Sequence, residues 1–138
     1  MKKLLTLISI IFFFSCGENL VEEVKERYNN GKLKLVHNYK KVGENQILKR
    51  IINYHENGQI KDEENYKDGK INGKQISYYS NGKIYSEKNY KNGIKEGKWS
   101  YYNKNGIIKK DNTYTDGELT EEKIKPNAKY CPDCLRYH

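Results

Sequence analysis

Tyrosine recurs every 12 residues through the middle of this chain, at Tyr54, Tyr66, Tyr78, Tyr90, Tyr102 and Tyr114. Glycine recurs every 24, in the sets Gly58, Gly82 and Gly106; Gly69, Gly93 and Gly117; and Gly73 with Gly97. Ile60, Ile84 and Ile108 keep the same 24-residue interval. A fixed period of this length marks a stack of one supersecondary unit, because each unit relies on its neighbours for burial. A weaker copy begins near Tyr28-Asn29-Asn30-Gly31. Its Tyr39 stands 15 residues before Tyr54, which implies a three-residue insertion within Lys40 to Lys49. The repeat region is expected over residues 26–120.

Each unit reads as two strands. Asn-Gly or Asp-Gly pairs sit at the joints: Asn30-Gly31, Asn57-Gly58, Asp68-Gly69, Asn72-Gly73, Asn81-Gly82, Asn92-Gly93, Asn105-Gly106 and Asp116-Gly117. Such pairs accept the positive φ angles of type I′ hairpin turns. Between joints lie segments of five to eight residues, which is strand length. Ile84, Ser86, Lys88 and Tyr90 alternate with other residues, and the even spacing predicts that the recurring Tyr and Ile share one face. Trp99 and Tyr101 then fall on the face opposite Tyr102. No proline interrupts the chain between Cys16 and Pro126, as interior strands require. The expected fold is all-β: an elongated antiparallel meander of tandem hairpins of about 24 residues.

Composition agrees with a thin sheet. Hydrophobic residues are 36% of 138, charged residues 32%, and the formal net charge is +8. All three Phe and the only Met lie in residues 1–16, so the repeats have little from which to build a thick core. The length excludes a TIM barrel or a two-domain enzyme.

The N-terminus has a different logic. Lys2 and Lys3 precede a run from Leu4 to Phe14 broken only by Thr6 and Ser9, and Ser15-Cys16 follows. The run is about 11 residues, well short of the roughly 20 that a spanning helix needs. The segment resembles a bacterial lipoprotein signal, with Phe13-Phe14-Ser15-Cys16 as lipobox. An ordinary secretory signal with an incidental cysteine is the alternative. The resemblance implies cleavage before Cys16, lipidation of Cys16 and retention in the cell envelope of a bacterium. On this reading residues 1–15 are signal peptide, 16–25 a lipidated tether, 26–120 the repeat domain and 121–138 a C-terminal cap. Loss of Lys2 and Lys3 leaves a mature charge of +6.

The unit Tyr78-Tyr79-Ser80-Asn81-Gly82-Lys83-Ile84, then Tyr90-Lys91-Asn92-Gly93, then Glu96-Gly97-Lys98-Trp99, resembles the MORN repeat variant. It is similar to bacterial proteins described as YwqK-like antitoxins, which carry tandem copies of it. The resemblance implies a scaffold or a protein- or lipid-binding surface. It implies an antitoxin or immunity role less directly, since an export signal conflicts with a cytoplasmic antitoxin.

The residues themselves offer no catalytic constellation. His37, His55 and His138 are the only histidines, and none stands at a spacing that suggests a nucleophile with its base. His55 occupies a slot filled by Tyr79 and Asn103 in other copies, which predicts an exposed strand position. The acidic run Asp62-Glu63-Glu64, flanked by Lys61 and Lys67, predicts a solvated, self-compensated face. No catalytic, metal or cofactor-binding residues are expected. Interleaved Tyr and Lys suit a protein partner or an anionic lipid or glycan surface, whereas export argues against nucleic acid. Trp99, Tyr101, Tyr79 and Tyr85 form the candidate binding surface, with Trp99 either its hot spot or simply the cover of that face.

The tail holds Cys131-Pro132-Asp133-Cys134. A disulfide between Cys131 and Cys134 is the expectation for an exported chain. Half a zinc site with His138 and a redox pair are the alternatives.

Overall fold

The computed structural model describes residues 20–125. The lipidation of Cys16, the Cys131–Cys134 pair and His138 lie outside the described residues.

Ten strands form one antiparallel sheet: β1 (Leu20–Arg27), β2 (Leu33–Val42), β3 (Asn45–Tyr54), β4 (Ile60–Lys67), β5 (Lys70–Tyr78), β6 (Ile84–Lys91), β7 (Ile94–Lys95), β8 (Gly97–Tyr102), β9 (Ile108–Thr115) and β10 (Glu118–Ile124). The spatial order follows the chain, β1-β2-β3-β4-β5-β6-β8-β9-β10, with two-residue β7 beside β6. The meander read from the repeat is therefore the fold. The sheet begins earlier and ends later than expected. Residues 20–25 of the anticipated tether are paired strand, because Val21 and Val24 pair with Tyr39 and Val36. Residues 121–124 of the anticipated cap pair with β9.

The sheet is a single layer, and among the described residues the buried apolar ones are Val36, Ile52 and Trp99. Stability must come mainly from pairing and from contacts between successive hairpins.

The two rims of the sheet use different chemistry. On one rim, Asp68-Gly69, Asn92-Gly93 and Asp116-Gly117 have both residues at positive φ, the type I′ pattern expected of them. On the other rim only the glycine of each Asn-Gly pair is left-handed, at Gly31, Gly58, Gly82 and Gly106. These are three-residue loops, each a tight turn closed by a glycine bulge. Gly31 N donates to Tyr28 O at 2.9 Å and Tyr28 N to Lys32 O at 2.9 Å, and the later loops repeat both bonds. Asn72-Gly73 is not a joint at all. It lies within β5, where Asn72 Oδ1 accepts from Asn92 N at 3.0 Å and steadies the next turn.

The expected sharing of one face by all the tyrosines is incorrect. Tyr54, Tyr78 and Tyr102 pair with Ile60, Ile84 and Ile108 on one face. Tyr66, Tyr90 and Tyr114 lie on the other. One extra residue after each loop, Lys34, Lys61, Tyr85 or Lys109, has no cross-strand partner and shifts the alternation. Even spacing across such a bulge therefore inverts the face. The three-residue insertion does fall within Lys40 to Lys49: it prolongs the β2–β3 hairpin, whose strands are 10 residues each.

Glycine at the I′ turns is needed for two separable reasons. Gly69 and Gly117 both have positive φ, at 73° and 90°. A Cβ on Gly69 would meet nothing within 4 Å, whereas one on Gly117 would stand 3.2 Å from Ile94 Cγ2. Gly69→Ala should cost about 1–2 kcal/mol from backbone strain alone. Gly117→Ala should cost more, and equal urea midpoints for the two variants would refute the steric component.

Candidate functional site

The face bearing Tyr54, Tyr78 and Tyr102 carries a ladder of ion pairs. Arg50 Nη1 meets Glu63 Oε1 at 3.0 Å, Lys74 Nζ meets Glu87 Oε1 at 3.2 Å, and Lys98 Nζ meets Asp111 Oδ2 at 3.0 Å. Both sides of the ladder step by 24 residues, so the sequence contained this signal among its many scattered charges. Asn65 and Asn89 donate to Lys74 O and Lys98 O, each at 2.7 Å, in the same rhythm.

The carboxylates are tuned by their surroundings. The Tyr102 hydroxyl donates to Glu87 Oε2 at 2.7 Å and is the main reason that carboxyl sits below its usual range, with Lys74 adding to it against partial burial. Burial pushes the Asp111 carboxyl up. The Ser100 hydroxyl at 2.7 Å, with Lys98 and Lys125, outweighs that and holds it below the ordinary value. The compensation of Glu63 comes from Arg50 rather than from the expected Lys61 and Lys67. Glu64, on the opposite face, accepts from Tyr66 Oη at 2.8 Å and Gln75 Nε2 at 2.7 Å. Burial, with this bond to Glu64, pushes the Tyr66 phenol up to about 12.

The second face is aromatic and gathers all four residues of the anticipated binding surface, in two groups. Trp99 is only 5% exposed. Its ring lies 5.1 Å from Tyr90 and 4.8 Å from Tyr114, and its Nε1 donates to Asn89 O at 2.9 Å. Lys88 Nζ and Lys95 Nζ stand 5.2 and 5.0 Å from the Trp99 ring. Trp99 is thus covered by its own repeats and is a packing centre, not an exposed anchor. The accessible aromatic is Tyr85, 45% exposed, in edge contact with Tyr79 at 5.2 Å and Tyr101 at 6.5 Å. Lys88 also lies over Tyr101, joining the two groups.

His55 is not an exposed strand position. It sits in a loop, half-buried, with Nε2 2.9 Å from Tyr78 O. A carbonyl only accepts, so this nitrogen carries the proton. Tyr28 Oη and Tyr79 Oη make the equivalent bonds to Tyr54 O and Tyr102 O. The slot accepts His and Tyr because both reach the next repeat with a donor. The loop asparagines form a second such ladder: Asn30, Asn57 and Asn81 donate to Glu56 O, Ser80 O and Lys104 O of the following loop.

Among the described residues no cluster of His, Cys, Asp and Glu could hold a metal ion. Nor is any helix long and apolar enough to cross a membrane, which says nothing of other modes of attachment.

The sequence matches the MORN repeat variant family over residues 23–41, 50–68, 71–92 and 95–116. The chain belongs to that family. Repeats of this kind are non-catalytic and generally mediate binding to proteins or to membrane lipids. The first match spans β1 and β2, so the MORN variant unit here starts before the expected residue 26. No curated protein matches the chain.

Two predictions follow from these faces. Trp99→Ala should lower the unfolding free energy by about 3 kcal/mol or more, and Tyr85→Ala by about 1 kcal/mol or less. Similar losses in denaturant titrations would contradict the division into packing centre and accessible ring. Asp111 and Glu87 have lowered folded-state values, so their stabilisation is present above the ordinary carboxylate range. It is lost as pH falls through the lowered values. Urea midpoints should therefore fall on acidification in the wild type, and fall less in Asp111→Asn/Glu87→Gln.

Proposed function

We propose that this MORN variant protein is a non-catalytic adaptor, held at a bacterial envelope membrane by lipid on Cys16, whose aromatic face receives a protein partner. The observation carrying the reading is the exposed Tyr85, held in place by Tyr79 and Tyr101, the latter with Lys88 over its ring. Tyrosine supplies contact area at small entropic cost, and rings fixed by their neighbours have less freedom to lose on binding. The ion-paired face supports this orientation, because its cations already have acidic partners and would surrender them to bind another surface.

Pull-down from envelope extract with the wild-type chain and with Tyr85→Ser/Tyr101→Ser tests the surface. A specific protein retained by the wild type and lost by the variant is expected. Repeated absence of any partner, or retention unchanged by the variant, would overturn the assignment. Mass spectrometry should find acyl chains on an N-terminal Cys16, and an unmodified Cys16 would remove the anchor from the proposal. A toxin is one class of partner compatible with the antitoxin resemblance, and rescue of growth on co-expression with the product of an adjacent gene would identify it.

A further inference from the structure

We infer that the loop rim, which borders the aromatic face at Tyr85, is a track for a linear polyanion such as an acidic glycan. Two groups of cations bear on this reading. Those of the ion-paired face are neutralised by Glu63, Glu87 and Asp111. Along the loop rim, the exposed Lys61, Lys104 and Lys109 make no ion pair among the described residues. Lys32 and Lys83 extend along the rim, their ammonium groups donating to Asn57 O and Asn105 O of the following loop at 3.0 and 3.4 Å. Each keeps two N–H donors for another acceptor. The acids nearby are Glu26, which pairs with Lys34, together with Glu56 and Asp62.

The rim is ordered before any ligand arrives. The Asn30, Asn57 and Asn81 amides tie each loop to the next. Successive loops are two strands apart, about 10 Å. The bulge positions repeat at the same interval, and three of the four hold lysine: Lys34, Lys61 and Lys109, with Tyr85 in the remaining place. A regular row of cations on fixed backbone suits a ligand with charges repeated along its length, and less of its ordering cost is borne at binding.

Sheet twist selects a polymer over a planar membrane. Adjacent strands rotate by about 20–25°, so the six steps from β2 to β9 turn the rim through roughly 120–150°. A bilayer could meet only a few of these lysines at once, whereas a flexible chain can follow them all.

The test uses the full chain with heparin, a linear sulfated glycan, and separately with vesicles of phosphatidylglycerol and phosphatidylcholine. Heparin binding that weakens with salt is expected, as counterion release requires. Lys61→Gln/Lys104→Gln/Lys109→Gln should weaken it about tenfold, while Lys67→Gln/Lys70→Gln/Lys91→Gln, the same charge change on the opposite rim, should change it less than about twofold. Lys104→Gln alone should weaken it about twofold without altering the melting temperature, which keeps the reading independent of folding. No heparin binding, equal effects of the two triple variants, or vesicle binding as tight as heparin at matched anionic charge would each overturn the inference. Neither result depends on the protein partner, which is read from the Tyr85 and Tyr101 variant.

Discussion

One unpaired residue after each loop decides how the molecule presents itself. Without Lys61, Tyr85 and Lys109 as bulges, Tyr66, Tyr90 and Tyr114 would each share the face of the tyrosine 12 residues before it, while the two-residue turns at Asp68-Gly69 and Asn92-Gly93 would still invert the alternation before Tyr78 and Tyr102. With them, three tyrosines join the isoleucines beside the ion-pair ladder, and three join Trp99 beneath Lys88 and Lys95. The division into a charge-compensated face and an aromatic, cation-topped face follows from that phase change.

A single layer offers little apolar burial, so coupling between hairpins has to be polar. The His55 and Tyr slot, the asparagine amides and the Tyr102–Glu87 bond each link one unit to the next, while the ion pairs tie together the two strands within a unit. Each such bond contributes modestly, of the order of 1 kcal/mol. Their recurrence along the array lets a sheet with three buried apolar residues hold together.

The fold was legible because periodicity survives ignorance of every contact: tyrosine and glycine intervals specify hairpins in series, and no crossover disturbs them. Faces were less legible. Counting parity from Tyr78 to Tyr90 passes a loop and a bulge, and the bulge leaves no distinctive residue type, since lysine and tyrosine both fill it. His55 was misread because variability in a slot suggests exposure, whereas His and Tyr share a donor at the right reach. The ladder of Arg50, Lys74 and Lys98 against Glu63, Glu87 and Asp111 stood in the sequence at the 24-residue interval, hidden by the abundance of other charges. Trp99 drew notice as the sole tryptophan, yet nothing in local sequence indicates that Tyr90 and Tyr114 close over it.

The main path through the sheet contains nine strands, an odd number, with every neighbour antiparallel. β1 and β10 consequently run in the same direction. A second copy placed by simple translation would offer its β1 to this β10 in parallel, with a slanted bonding pattern found nowhere else in the sheet. The meeting edges are each slightly acidic, −1 over Leu20–Arg27 and −2 over Glu118–Ile124, although Glu23, Glu26, Glu121 and Glu122 already hold lysine partners. Extension of the described array by translated copies would therefore meet a change of pairing type at every junction, a consequence of the odd count of its strands.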